Sequence, residues 1–150
     1  MWPAIERSLL LRVSAVRTFA HGFRARCAIA LAARSSPSRK GELLAQADRS
    51  IERLARDDRA WNRADAAMVS ALALRLRGRP SEALASMELA ARVFTERQMG
   101  LFAAAARWRA GEWRGGDRGA ALVGEATAAL RAEGVVDPLR MVSCVAPSVA

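Results

Sequence analysis

Residues 68–94 read MVSALALRLRGRPSEALASMELAARVF, two apolar-periodic runs joined at Gly78-Arg79-Pro80, and this joint restricts the fold more than any other stretch. Leu72 and Leu76 recur on one face before it, and Leu84, Met87, Ala91 and Phe94 after it, at the three- and four-residue steps of a buried helix face. Gly78 lacks a Cβ and accepts the left-handed conformation that ends a helix. Pro80 suits a first helical turn, where its missing N–H costs nothing. A joint this short allows only an antiparallel hairpin. Neither helix can bury its stripe alone, so further helices must stack on both sides.

The rest of the chain supplies them. Trp2-Pro3 opens a long helical pattern whose buried face reads Leu9, Val13, Val16, Ala20, Phe23, Cys27 and Ala30, with Gly22 weakening its middle. Ser36-Pro37 reads as an N-cap and first-turn proline for a second helix to about Arg56, burying Leu43, Leu44, Ala47, Ile51 and Leu54. A third helix from Trp61 buries Trp61, Ala64, Met68, Leu72 and Leu76 and leads into the central hairpin, whose second helix runs to about Gln98. Met99-Gly100 punctuates; Leu101 to Trp113 follows, with Ala104, Ala105 and Trp108 inside and an alanine run that permits close helix approach. Gly115-Gly116 ends that helix, with Asp117 as cap of a sixth burying Leu122, Ala126, Ala129 and Leu130. Gly134 stops it, and Asp137-Pro138 starts a short terminal helix through Val142. The expected fold is all-α: antiparallel helical hairpins stacked as a short tetratricopeptide-like solenoid. Residues 1–35 form a long basic helix able to serve as the first of the stack, and 36–150 the repeats.

At 150 residues, with 52% hydrophobic residues and a mean hydropathy of +0.02, the chain has the size and composition of one folded domain. The net charge of +9 raises the question of nucleic acid or an anionic surface. Residues 1–40 hold eight basic groups against Glu6 alone, so most of the excess is N-terminal. Those arginines point in several directions around a helix and form no single stripe. Nucleic-acid binding through this helix is therefore the alternative rather than the leading expectation. No apolar run near the N-terminus approaches the roughly 20 residues of a membrane span, and Arg12 and Arg17 interrupt any signal-peptide core. Cys27 and Cys144 read as reduced, partly buried thiols of a cytoplasmic protein.

Chemistry-bearing constellations are sparse. His21 is the only histidine and has no cysteine pair at ligand spacing, so no metal is expected. Asp57-Asp58 reads as a solvated turn. The glycines at 115, 116 and 119 precede no Lys-Ser/Thr and fit neither glycine-rich nucleotide motif, so no cofactor is expected. Without a base, nucleophile and metal in reach of one another, the reading is not an enzyme.

Aligning the glycine turns gives a weak repeat: RGRPSEALASM from Arg77 lies over RGGDRGAALVG from Arg114, pairing Gly78 with Gly115 and Ala83 with Ala120. Gly41 takes a similar place earlier. Such periods with a helix–turn–helix unit mark a helical solenoid. Gly78, Ala83, Met87 and Ala90 resemble the turn glycine and the small, large and small packing residues of tetratricopeptide repeats. Leu74 and Ser70 stand where that family has aromatics. The run from Leu101 to Pro147, with Gly111-Glu112, Gly115-Gly116, Gly119 to Val123, Gly134, Pro138, Arg140-Met141 and Ala146-Pro147, resembles the end of large myxobacterial-type signalling proteins. In those, a serine/threonine kinase domain and an ATPase module precede a helical-repeat region. The resemblance implies a docking or sensor region and not the kinase, whose motifs are absent here.

The functional expectation is a non-catalytic interaction module binding a partner protein or peptide on a concave face lined by the first helix of each hairpin. Arg63, Arg75, Arg107 and Arg109 would serve an acidic or extended peptide, and Trp113 would be either an anchor or a cap on the core. Should the first helix lack an internal partner, its stripe would instead make a homodimer seam.

Overall fold

A computed structural model describes Pro3, Ile5 and residues 9–149, and the backbone only of Leu9 and Leu10. Trp2, Arg7, the side chain of Leu9 and Ala150 lie outside the described residues. Among the described residues there is no strand. After a 3-10 turn at Leu9–Arg12 come seven α-helices: α1 Ser14–Ala32, α2 Pro37–Ala55, α3 Ala60–Leu76, α4 Pro80–Glu96, α5 Gly100–Arg114, α6 Gly116–Ala132 and α7 Pro138–Val145. Adjacent helices pack in antiparallel pairs, α1 on α2, α3 on α4 and α5 on α6, and the pairs stack through α2 on α3 and α4 on α5. The expected all-α hairpin arrangement is the observed one. α1 also touches α3, so it has an internal partner and belongs to the stack.

Three joints use the same chemistry. After α3, the Gly78 N–H donates to the Arg75 carbonyl and the Arg79 N–H to that of Leu74, with Gly78 at φ 72°, which completes a Schellman motif. Gly134 at φ 82° closes α6 in the same way, through the carbonyls of Arg131 and Leu130. After α4 the left-handed position is held by Gln98 at φ 55°, with bonds from Gln98 and Met99 to Thr95 and Phe94. The glycine by which the sequence marks this joint, Gly100, is instead the first residue of α5.

The Gly115 joint is different. It is one residue long, its φ of 68° and ψ of −175° redirect the chain at once, and Gly115 rather than Asp117 is the N-cap of α6. The observed repeat is therefore shifted by one from the glycine alignment. Ala83 lies over Gly119, 36 positions later, and not over Ala120, which is exposed. In this register Leu43, Ser50 and Leu54 of α2 match Ala83, Ala90 and Phe94 of α4 and Gly119, Ala126 and Leu130 of α6, all buried. Gly119 sits where it does because α5 and α6 touch through backbone. A Cβ there would drive into the Gly111 carbonyl oxygen.

The largest departure from expectation concerns the first helix. It is not continuous: Val13 is extended at φ −76° and ψ 115°, which separates the 3-10 turn from α1. Its buried residues are Thr18, His21, Gly22, Ala25, Arg26, Ala28, Ile29 and Ala32. The stripe expected to be buried lies outside, with Val13, Val16, Phe23 and Cys27 exposed and Ala20 and Ala30 half-buried. Small residues let α1 lie close against α2 and α3, and close packing gains more contact than a seam of large side chains held further apart.

Candidate functional site

The side of the stack lined by first helices is not an open groove. α7 and the residues after it lie across it, gripped by two buried arginines from different hairpins. Arg26 of α1 donates through Nε to the Val145 carbonyl at 2.5 Å, and Arg109 of α5 donates through Nε to the next carbonyl, Ala146, at 2.7 Å. Each guanidinium also has a carboxylate. Arg26 pairs with Asp65 of α3 through two bonds, Nη1 at 3.3 Å and a shorter one from Nη2, and Arg109 pairs with Glu112 one turn further along α5. Burial of Arg26 and Arg109 to 7% and 1% exposure is tolerable only because these charges are matched. Asp137 caps α7 by accepting from the Arg140 N–H at 3.0 Å, the arrangement its sequence predicts.

Between α1, α3 and α7 an apolar cleft of about 250 Å³ remains. Phe19 and Phe23 of α1, Trp61 of α3, Phe102 of α5 and Met141 and Cys144 of α7 line it, with buried Phe94 and the Arg26–Asp65 pair behind them. The Phe19 and Trp61 rings are 6.0 Å apart and tilted by 38°, and Phe94 and Phe102 are 5.3 Å apart, both within the range of favourable aromatic pairs. Phe19 and Phe23 are 50% and 59% exposed at the mouth. The charged groups in the lining, Arg26 and Asp65, are already bonded to each other and Arg26 also to Val145, so this surface can desolvate an apolar group and has little to offer a charged one. Cys144 and Cys27 are both exposed and unbridged, not partly buried as the sequence suggested. Among the described residues no group of three or more His, Cys, Asp or Glu is placed to hold a metal ion, and no helix is long and apolar enough to cross a membrane.

Trp61 is also a wall of a second, shallow depression lined by Asp58, Arg59, Ala60, Arg63 and Arg97. Arg59 lies over the Trp61 ring, 5.4 Å from its centroid, and is held by Asp57 through Nε at 2.8 Å and Nη2 at 2.6 Å. Its Nη2 also reaches Ser14 and Thr18 of α1, tying the starts of α1 and α3 together. These hydrogen bonds from Arg59, followed by one from Asn62, hold the Asp57 carboxyl well below the usual carboxylate range. Asp57 is therefore a structural clamp, whereas the sequence suggested only a solvated turn.

The five predicted partner-binding residues do not converge. Arg63 is exposed beside Trp61. Arg75 lies over the half-buried Trp113, 5.7 Å from its ring centroid. Arg107 donates to Thr95 Oγ1 at 2.6 Å. Arg109 is buried under the tail and open to no partner. Sequence reasoning assigned Phe23 and Trp61 to buried faces and passed over Phe19. The available signal was a second stripe on α1: small residues at 22, 25, 28 and 32 form a face of their own, which leaves the phenylalanines at 19 and 23 to point elsewhere. The basic residues of α1 likewise form no common surface, since Arg26 is internal and Arg17 donates to the Leu11 carbonyl at 3.2 Å.

Comparison with protein-family models, curated proteins and solved structures finds no match to this chain.

Proposed function

We propose that the chain is a non-catalytic interaction module that takes an apolar side chain of a partner protein or peptide into the aromatic cleft. The observation that carries this reading is the pair of half-exposed phenylalanines, Phe19 and Phe23, at the mouth of an unfilled apolar cleft. Burying a phenylalanine completely is worth about 1.5–3 kcal/mol. Covering two that are half exposed therefore leaves roughly that much for a partner to gain, before the cleft itself is filled. Size favours a side chain over a small molecule. Pockets for drug-sized ligands run from about 300 to 1,000 Å³, more than the roughly 250 Å³ here. A helical-repeat scaffold that offers first-helix side chains to a partner fits the same role. The resemblance of Leu101 to Pro147 to the ends of kinase-linked signalling proteins favours a partner from a bacterial signalling system.

Selecting a random peptide library against the intact chain tests this. Selected peptides are expected to bind wild type and to lose at least about tenfold in affinity on Phe23→Asp, the scale set by a hot-spot aromatic. Peptides that bind both proteins equally, or no selection at all, would overturn the reading. Circular dichroism on Phe23→Asp guards against misfolding, which an exposed position should not cause.

A further inference from the structure

The two depressions that share Trp61 differ in chemistry, and their adjacency specifies a partner. On one side of the indole lies the apolar cleft. On the other lie Arg59, Arg63 and Arg97 with Asp58 among them. Arg59 is neutralised by Asp57, but Arg63 and Arg97 are exposed and form no ion pair among the described residues. We propose that these surfaces form one composite site for an acidic linear peptide, with a large apolar side chain in the cleft and flanking carboxylates on Arg63 and Arg97. This rests on the interaction-module reading above and adds the partner's chemistry to it.

Volume and charge set the two halves of the motif. A dry cavity of about 150 Å³ accepts a benzene ring. A cleft of about 250 Å³ with an open mouth therefore holds one phenylalanine, tryptophan or leucine side chain with its β-carbon stem. The two depressions share Trp61, so one extended peptide can reach both. The motif is thus a large apolar residue with Asp or Glu near it in sequence. Guanidinium groups suit carboxylates through paired N–H donors, and the net charge of +9 draws an acidic chain towards the whole molecule.

The same charges disfavour the other occupants. A second copy seated on α1 would bring the exposed Arg17 against its like, with no acid on that helix to relieve it. A nucleic-acid base stacked on Phe19 or Trp61 would find few hydrogen-bonding groups free in the lining, since Arg26 and Asp65 are committed to each other.

The test is to resynthesise the strongest cleft-dependent peptide with every Asp and Glu replaced by Asn and Gln, and to measure both forms by fluorescence anisotropy on the intact chain. Two exposed ion pairs predict about tenfold weaker binding of the neutral form. They also predict a similar loss for the acidic form on Arg63→Glu/Arg97→Glu, and several-fold weakening between low and high salt. A peptide with lysines in place of its acids should recover affinity on that double variant, which a merely unfolded protein could not show. If the neutral form binds as tightly as the acidic one, this inference falls while the interaction-module reading stands. If no peptide depends on Phe23, both fall. Displacement of the peptide by a 12-nucleotide single strand at equal or lower concentration, or a peptide site blocked by dimerisation in light scattering, would also overturn the proposal.

Discussion

α1 and α4 are helices of similar length and apolar content that bury opposite kinds of side chain. α4 turns its bulk inward, with Met87 and Phe94 at 0% exposure beside Ala83 and Ala90. α1 buries Gly22, Ala25, Ala28, Ile29 and Ala32 and leaves Val16, Phe19, Phe23 and Leu31 at the surface. α4 has one apolar face, so its period and its packing direction are the same information. α1 has two, and the period alone does not say which one meets the core. The face that packs is the one that lets backbones come closest. The face left over is the one that borders the aromatic cleft.

The widest separation between the two helices should come from cutting back a phenylalanine in each. Phe94→Ala removes a fully buried ring and is expected to cost about 3–5 kcal/mol in denaturant unfolding. Phe23→Ala is expected to stay within about 0.5 kcal/mol of wild type. Equal losses would mean that α1 packs by the stripe its large residues suggest. Next in size, Arg26→Met alone strands Asp65 as a buried charge and should cost about 3 kcal/mol. Adding Asp65→Leu should recover most of that, leaving about 1 kcal/mol for the lost bond to the Val145 carbonyl. A double variant as unstable as the single would show that the tail bond, not the ion pair, carries the energy.

Glycines give a finer contrast. A Cβ on Gly22 would stand 2.9 Å from both Arg26 Nη1 and Asp65 Oδ2, whereas one on Gly124, exposed in α6, would meet nothing within 4 Å. Alanine gains about 1 kcal/mol over glycine inside a helix. Gly124→Ala should therefore stabilise by up to about that amount. Gly22→Ala should lose about 1 kcal/mol net, because the atoms it displaces are locked in a buried pair. Thermal unfolding of the two variants gives both signs, and stabilisation by Gly22→Ala would mean that α1 does not lie close against α3 at this point.

How much of this was legible in the sequence follows from the same physics. The hairpin at Gly78-Arg79-Pro80 could be read because a left-handed glycine and a first-turn proline are local requirements of the chain itself, and Asp137-Pro138 for the same reason. The break after α4 could be read as well, at Met99-Gly100, but its chemistry could not, since the left-handed residue there is Gln98 at φ 55° and not the glycine. Matching the turn glycines Gly78 and Gly115 finds the repeat but shifts it by one, because the register follows the buried helix face, Leu43, Ala83 and Gly119, and not the turns. Helix phase points to Arg109 as a binding residue, and it does lie on a first helix, α5. What phase could not show is that the chain's own Ala146 already occupies that arginine.

The smallest expected effect distinguishes the two helix starts by pH. Asp57 accepts from the Arg59 N–H at 3.1 Å and from its guanidinium, and Arg59 in turn reaches α1, so this carboxylate holds two helices together. Glu82 accepts from Arg79 at 2.6 Å within the first turn of α4 and joins nothing else. Both carboxyls are lowered from their ordinary values, Asp57 by hydrogen bonds from Arg59 and then Asn62, and Glu82 by those from Arg79. A folded-state pKa below the unfolded one means that the stabilisation is present above the ordinary carboxylate pKa of about 4 and is lost as pH falls through the folded value. Amide protection, corrected for the intrinsic exchange rate at each pH, should therefore fall from pH 5 to pH 2 at residues 59–62 together with residues 14–18 of α1, whereas the fall around residues 79–82 should stay within α4. Asp57→Asn should bring the first pattern to neutral pH. Exchange in α1 that ignores both acid and this substitution would show that α1 is seated by its small-residue face alone and that the Arg59 bridge only decorates the mouth of the cleft.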